Sequence, residues 1–201
     1  MFLLEPSRKF DCHTHCQQAD AGCALVNIPD ECLLRPHTFM PREGVLYSVG
    51  IHPMFRESCE QAMVGFYQLV CHEQVVAVGE CGFDRRSHLS LQQQEELFRV
   101  QLECAQRFSM PVVVHCVGAW DRLLRLQKSV PAPERRIVHG FRGKPELARQ
   151  LLSAGFSLSF GPRFNNDSLA LCPKDRRFVE TDNFNITLEE VCSLQDKFYD
   201  A

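Results

Sequence analysis

The 201-residue sequence predicts an α/β fold: a (β/α)8 barrel whose outer helices are reduced in the first two βα units. Three observations carry this reading. Eight short apolar runs recur along the chain, with the Val and Ile content of buried strands. From residue 54 onward helix-like segments separate them, and such alternation implies a parallel sheet. Histidines or carboxylates end five of the eight runs, where a closed barrel gathers its active-site groups.

The runs are Lys9–Cys12, Cys23–Ile28, Val45–Ile51, Val75–Gly79, Pro111–Val114, Arg136–Val138, Phe156–Phe160 and Arg177–Val179. Only Cys16–Gly22 separates the first two, too little for a crossover helix, and Pro29–Gly44, with three prolines, reads mostly as irregular. Apolar barrel surface near strands one to three is therefore expected to be covered by that segment or by a second copy in a homodimer. Met54–His72 reads as a helix. Ser90–Phe108 is the clearest one: Leu91, Leu97, Val100, Leu102, Cys104, Ala105 and Phe108 form a broad apolar face, with Ser90 as N-cap. Trp120–Leu126, Lys144–Leu152 and Leu188–Leu194 follow, with Pro145 in a first turn and Gly155 at a stop.

A hydrophobic fraction of 45% with 23% charged residues marks a globular chain and excludes wholesale disorder. The length suits one domain, residues 1–201. No run approaches the roughly 20 apolar residues of a membrane helix. MFLLEPSRKF lacks the long apolar stretch of an export signal, and the eleven cysteines are odd in number and irregularly spaced. The expectation is a cytoplasmic protein whose thiols are mostly buried and reduced. CHTHC (Cys12 to Cys16) has no second pair at finger spacing, against a structural zinc knot. A net charge of −3 argues against holding nucleic acid by bulk electrostatics, though not against a nuclease that grips phosphate through ions.

His13 and His15 alternate, so strand periodicity puts both imidazoles on one side. Glu80 follows the fourth run, His115 the fifth, His139 the sixth and Asp182 the eighth. Any one of these suits a bland role, a helix cap or a satisfied polar group, but five strands ending alike point to a shared metal centre. The donor set suits zinc, manganese, iron or nickel, and magnesium less well. Six side chains exceed what one catalytic ion needs, which favours two ions sharing a carboxylate. Asp11 and Glu180 lie two residues before His13 and Asp182, and are expected to point inward and accept ring N–H groups of metal-bound imidazoles.

The motifs FDCHTH (10–15), GIHP (50–53), VGECGFD (78–84), PVVVH (111–115), VHGFRG (138–143) and VETD (179–182) together resemble the TatD family of metal-dependent hydrolases. The resemblance implies a TIM-type barrel, two divalent ions (Mg, Mn or Zn) and phosphodiester hydrolysis, as a deoxyribonuclease of the 3′–5′ exonuclease type. By family pattern His13, His15 and Asp182 hold one ion, His115 and His139 the other, Glu80 bridges, and Asp182 takes the proton of the attacking water. His52 contacts substrate or a metal ligand, or holds its loop beside Pro53. The chain is shorter than the roughly 250 residues usual for such barrels. It also carries Asn183-Phe184-Asn185 where the family often has proline and tyrosine.

DNA or another phosphodiester substrate is the expected partner, with no membrane. Arg85, Arg86, Arg142, Lys144 and Arg163 all follow strand ends, and Arg142 and Arg163 are the better phosphate candidates because glycine or proline neighbours keep them near the barrel. Phe83, Phe141 and Phe164 are candidates for base stacking. Two alternatives stand beside a nuclease: an ester or amide hydrolase such as an aminoacyl-tRNA deacylase, and a non-catalytic metal-binding partner protein.

Overall fold

A computed structural model describes residues 4–130 and 135–199. Residues 1–3, part of the stretch read above for an export signal, lie outside this range. Eight parallel strands run in sequence order around a nearly closed barrel: β1 (Asp11–Thr14), β2 (Ala24–Asn27), β3 (Leu46–Val49), β4 (Val75–Asp84), β5 (Val112–Val117), β6 (Arg136–Val138), β7 (Ser157–Phe160) and β8 (Arg177–Val179). A single parallel bridge, Thr14 with Asp182, joins the last strand to the first. Among the described residues, seven α-helices lie between or after the strands: α1 (Asp30–Leu34), α2 (Cys59–Leu69), α3 (Leu91–Arg107), α4 (Trp120–Leu126), α5 (Pro145–Ser153), α6 (Asn166–Leu171) and α7 (Leu188–Tyr199). No helix among the described residues is long and apolar enough to cross a membrane.

The strands read as near-continuous apolar runs because a parallel barrel buries them on both faces. Leu25, Val26, Ala77, Val78, Val113, Ile137, Val138 and Leu158 are all fully buried. The helix ends follow local chemistry. Ser90 accepts from Gln93 N while the Gln93 side chain returns to Ser90 N, a reciprocal cap. Pro145 opens α5, where a missing N–H costs nothing.

The outer wall is thinned where expected. Residues 29–44 are not wholly irregular, however. They form α1 and a single 3-10 turn at Pro36–Thr38, and Cys32 and Leu33 of α1 are buried. Helix α2 approaches so closely that a Cβ on Gly65 would lie 1.9 Å from the Leu33 carbonyl oxygen. This segment covers the sheet that made a homodimer the expectation. Helix α2 starts at Cys59 rather than Met54, because Pro53 and the extended Ser58 cap delay it. Helix α6, unforeseen, is capped by Asn165, whose side chain accepts from Ser168 N.

The largest departure is β4. The apolar run ends at Gly79, but the strand continues to Asp84, with Cys81, Gly82, Phe83 and Asp84 paired to Val114, His115, Cys116 and Val117. Glu80 and His115 therefore lie within strands, Glu80 inside a register shift between Val78 and Cys81. The Gly79–Glu80 peptide is cis. Gly82 has φ +139°, and a Cβ there would meet the His115 carbonyl at 2.2 Å, so only glycine lets the two backbones close.

All eleven cysteines are free thiols. Cys12, Cys32, Cys81, Cys104, Cys116, Cys172 and Cys192 are buried, and burial pushes Cys116 and Cys172 up to about 12, so they stay protonated and behave as small apolar groups.

Candidate metal centre

Glu80 lies at the centre of the barrel mouth with 5% of its surface exposed. Its two carboxylate oxygens face different partners. Oε2 lies 3.3 Å from His13 Nε2 and 3.4 Å from His15 Nε2, both from the end of β1. Oε1 lies 2.6 Å from His115 Nδ1, 2.7 Å from His139 Nε2 and 3.2 Å from His52 Nε2. Burial alone would raise the Glu80 carboxyl. His139, His115 and His13 outweigh it and hold the group well below the ordinary carboxylate range.

The donors fit a cation. His13 is fully buried, yet neither ring nitrogen has a hydrogen-bond partner; His15 Nε2 is also without one. Such buried orphans are rare in proteins. Asp182 Oδ1 lies 3.8 Å from both His13 Nε2 and His15 Nε2. The two imidazole nitrogens thus stand 3.3 to 3.8 Å from the two carboxylate oxygens without a hydrogen bond between them. Ligands about 2.1 Å from a tetrahedral ion stand about 3.4 Å apart. On the Oε1 side, His115 Nδ1 and His139 Nε2 are 3.1 Å apart and share the same oxygen.

His115 and His139 each face a carboxylate behind the ring. His115 Nε2 lies 3.1 Å from Asp84 Oδ2. Arg86 closes on that carboxylate through its backbone N at 2.8 Å, Nε at 2.9 Å and Nη2 at 2.6 Å. Burial would raise the Asp84 carboxyl, but Arg86 and His115 hold it well below its usual value. An ionised carboxylate only accepts, so with an ion held at Nδ1 the His115 proton would stand on Nε2, facing Asp84. His139 Nδ1 lies 3.4 Å from Glu180 Oε1, which also accepts from Gly140 N at 2.7 Å.

Asp11 takes a different part from the one anticipated. Its carboxylate accepts from Thr181 N at 3.1 Å, Thr181 Oγ1 at 2.6 Å and His13 N at 3.3 Å, so it fixes the backbone that carries Asp182 rather than an imidazole. Burial brings its carboxyl up to about 7, against these Thr181 and His13 bonds. Asp182 itself sits at φ +53°, a left-handed conformation rare for a side-chain-bearing residue and tolerated best by Asp and Asn.

His52 is brought into the group by position. Its Nδ1 accepts from Met54 N at 3.0 Å, which leaves the ring proton on Nε2. It therefore faces Glu80 Oε1 as a hydrogen-bond donor, not as a lone-pair ligand. Gln101 of α3 holds this loop from behind, accepting from Ile51 N at 2.7 Å and donating to Ile51 O at 3.3 Å.

The basic candidates divide. Arg86 is spent on Asp84, and Arg85 is held by Asp121 and the Gly118 carbonyl. Arg142 and Arg163, both exposed, lie over one aromatic ring, Phe184. Phe83 and Phe141 are core residues with no exposed ring, so they cannot stack on a base; Phe164 is partly buried against the same core. Sequence reasoning misses two residues of the site, Asp84 and Phe184. Asp84 stands four residues after Glu80, and that spacing is the available signal.

A model of the TatD-related DNase family matches residues 37–186. The chain belongs to the TatD family. Among its TatD relatives, the uncharacterized metal-dependent hydrolase YabD of Bacillus subtilis is 32% identical over 145 residues, covering 67% of this chain and 57% of YabD. The 3′-5′ ssDNA/RNA exonuclease TatD of Erwinia billingiae is 33% identical over 153 residues, covering 70% of this chain and 59% of its own length. The matched region thus spans under two thirds of these relatives. In three dimensions the chain resembles YjjV, a TatD homolog from Escherichia coli K12, with a TM-score of 0.76, 22% identity, and coverage of 95% of this chain and 90% of that one. A TatD-family hydrolase from Entamoeba histolytica matches with a TM-score of 0.60 and 17% identity, over 78% of this chain and 59% of that one. Both likenesses are to the TatD barrel fold.

Proposed function

We propose that this TatD-family chain is a metal-dependent hydrolase that cleaves phosphodiester bonds in DNA, as a 3′–5′ exonuclease, with two divalent ions held at the mouth. The observation that carries the reading is the split of Glu80, whose two oxygens face separate sets of imidazole nitrogens. His13, His15 and Asp182 would hold one ion, His115 and His139 the other, with Glu80 between them. Such a pair of Mg, Mn or Zn ions would activate a water and offset phosphate charge, work for which a chain of net charge −3 has little spare basic surface. Asp182, partly exposed beside His15, accepts the proton of the attacking water. His52 lines the substrate cavity and donates its Nε2–H to Glu80 Oε1, orienting that carboxylate. The eleven free thiols support a reducing, cytoplasmic setting.

One observation favours a second reading. Asp30 and Glu31 line the same cavity of about 500 Å³ as Glu80, and carboxylates there suit an ammonium group better than a phosphate. An aminoacyl ester on RNA carries such a group, and a water activated at this centre would attack its carbonyl as readily. The deciding experiment incubates the metal-loaded protein with single-stranded DNA, duplex DNA, RNA and aminoacyl-RNA. Release of mononucleotides from DNA, abolished in Glu80→Gln, is expected. Deacylation without DNA cleavage would replace the nuclease reading with the second.

A further inference from the structure

Three loops, after β6, β7 and β8, meet at Phe184. Arg142 Cζ lies 5.8 Å from the centre of its ring and Arg163 Cζ lies 4.9 Å from it. Both arginines are exposed, and among the described residues neither has a carboxylate partner. The contrast with the other arginines near the mouth is sharp, since Arg85 and Arg86 are each paired to an aspartate. Two like charges gathered on one ring without a counter-charge repel each other, and an anion between them relieves that repulsion. A guanidinium is also the cation best shaped for a phosphate.

The position suits a strand leaving the metal centre. Phe184 is two residues beyond Asp182, at most about 7 Å of chain. It lines a groove of about 500 Å³ together with His15, Asp182 and Asn183, and these three residues also line the cavity around Glu80. Glu190, the other carboxylate in that groove, is turned away to cap α7, accepting from Thr187 N at 2.8 Å and Thr187 Oγ1 at 3.0 Å.

We propose that Arg142 and Arg163, pre-aligned on Phe184, form a phosphate clamp that binds a second phosphate of a single-stranded DNA substrate, next along the strand from the one at Glu80. This rests on the nuclease reading for the identity of the ligand. The aromatic platform holds two long, mobile side chains near one position, so less rotamer entropy is given up when the phosphate binds. The clamp also gives the substrate strand a direction over the mouth, toward β6–β8 and away from Asp30 and Glu31.

The test is fluorescence anisotropy with a 5′-fluorescein oligothymidylate in excess chelator, which isolates the arginines from any metal and prevents cleavage. Wild type is expected to bind with a salt-dependent Kd. The double variant Arg142→Gln/Arg163→Gln should bind at least tenfold more weakly at low salt. Its log–log salt slope should fall by about 0.7 for each phosphate no longer neutralised, the value for single strands. Phe184→Leu should give an intermediate weakening. Arg149→Gln, which removes an exposed charge within α5 and outside the clamp, should change neither Kd nor slope. Equal binding by wild type and the double variant overturns the proposal, as does a weakening in Arg149→Gln as large as that in the double variant. Cleavage by the metal-loaded wild type is scored separately. Clamp-dependent binding without cleavage leaves the clamp standing and removes the nuclease reading.

Discussion

Asp84 Oδ2 and His115 Nε2 lie 3.1 Å apart, with Arg86 folded over the far side of the carboxylate. The contact sets the tautomer of His115 and so decides which nitrogen faces Glu80 Oε1, 2.6 Å away. Partners of this kind are worth about 10–100-fold in metal affinity. Asp84→Ala should weaken binding at the His115 side by that factor, measured by competition with a chromophoric chelator. Arg86→Gln should weaken it less, since the carboxylate remains. An unchanged affinity in Asp84→Ala would leave the Asp84–His115 pair without this role.

Glu80 reaches both halves of the centre, whereas each histidine reaches one. Glu80→Gln should bring the metal content of loaded, dialysed protein from about two ions per chain to fewer than one. His139→Ala should leave about one. Elemental analysis reads this directly, and two ions retained in Glu80→Gln would contradict the bridging assignment.

Orphaned ring nitrogens on His13 mean that the folded chain offers an ion a site that the unfolded chain does not. At a free metal concentration 100 times Kd the gain is about 2.7 kcal/mol. For a chain of this size that shifts Tm by about 5–10 °C. Chelator should reverse the shift, and Glu80→Gln should not show it. Equal Tm values with and without metal in wild type would speak against a folded-state site.

Gly65 of α2 faces a backbone oxygen, not a flexible side chain. Gly65→Ala gains about 1 kcal/mol of helix propensity but must push α1 away, an overpacking cost of about 1–3 kcal/mol. The approach is too short to absorb, so the cost should win and Tm should fall by several degrees in a thermal melt. A rise in Tm would mean that α1 yields freely.

Gln101→Leu keeps the volume but strands the N–H and C=O of Ile51 in the interior. An unsatisfied buried group costs about 1–3 kcal/mol. Urea unfolding should show a decrease of that size. Because His52 follows directly on Ile51, kcat on DNA should fall as well. Unchanged stability would show that water takes over the bonds.

Much of this is legible in the sequence because barrel geometry turns strand order into spatial order. His13, His15, Glu80, His115, His139 and Asp182 meet because each sits at or near the same end of a parallel strand. What stays hidden depends on pairings between distant segments. Arg85 and Arg86 look like free phosphate ligands, since nothing in the local sequence shows that Asp121 and Asp84 take them. Asp11 satisfies the alternation rule, yet Thr181, 170 residues away, claims its oxygens. The extension of β4 past Gly79 is masked because hydrophobic runs mark burial, and Glu80 is a buried charge held by its partners instead.

The seam between β8 and β1 has a further meaning. His13 O and His15 N lie on one side and Asp182 N and O on the other, and backbone bonds from Asp182 N to His13 O at 3.0 Å and from His15 N to Asp182 O at 3.2 Å close it. The same residues supply donors to the Glu80 Oε2 side of the centre. An ion there would act as a clasp between the two ends of the fold, so half of the active site is assembled only when the final strand docks. Synthesis order follows the same logic: a growing chain carries His13 and His15 early, but completes this set of donors only once Asp182 is made.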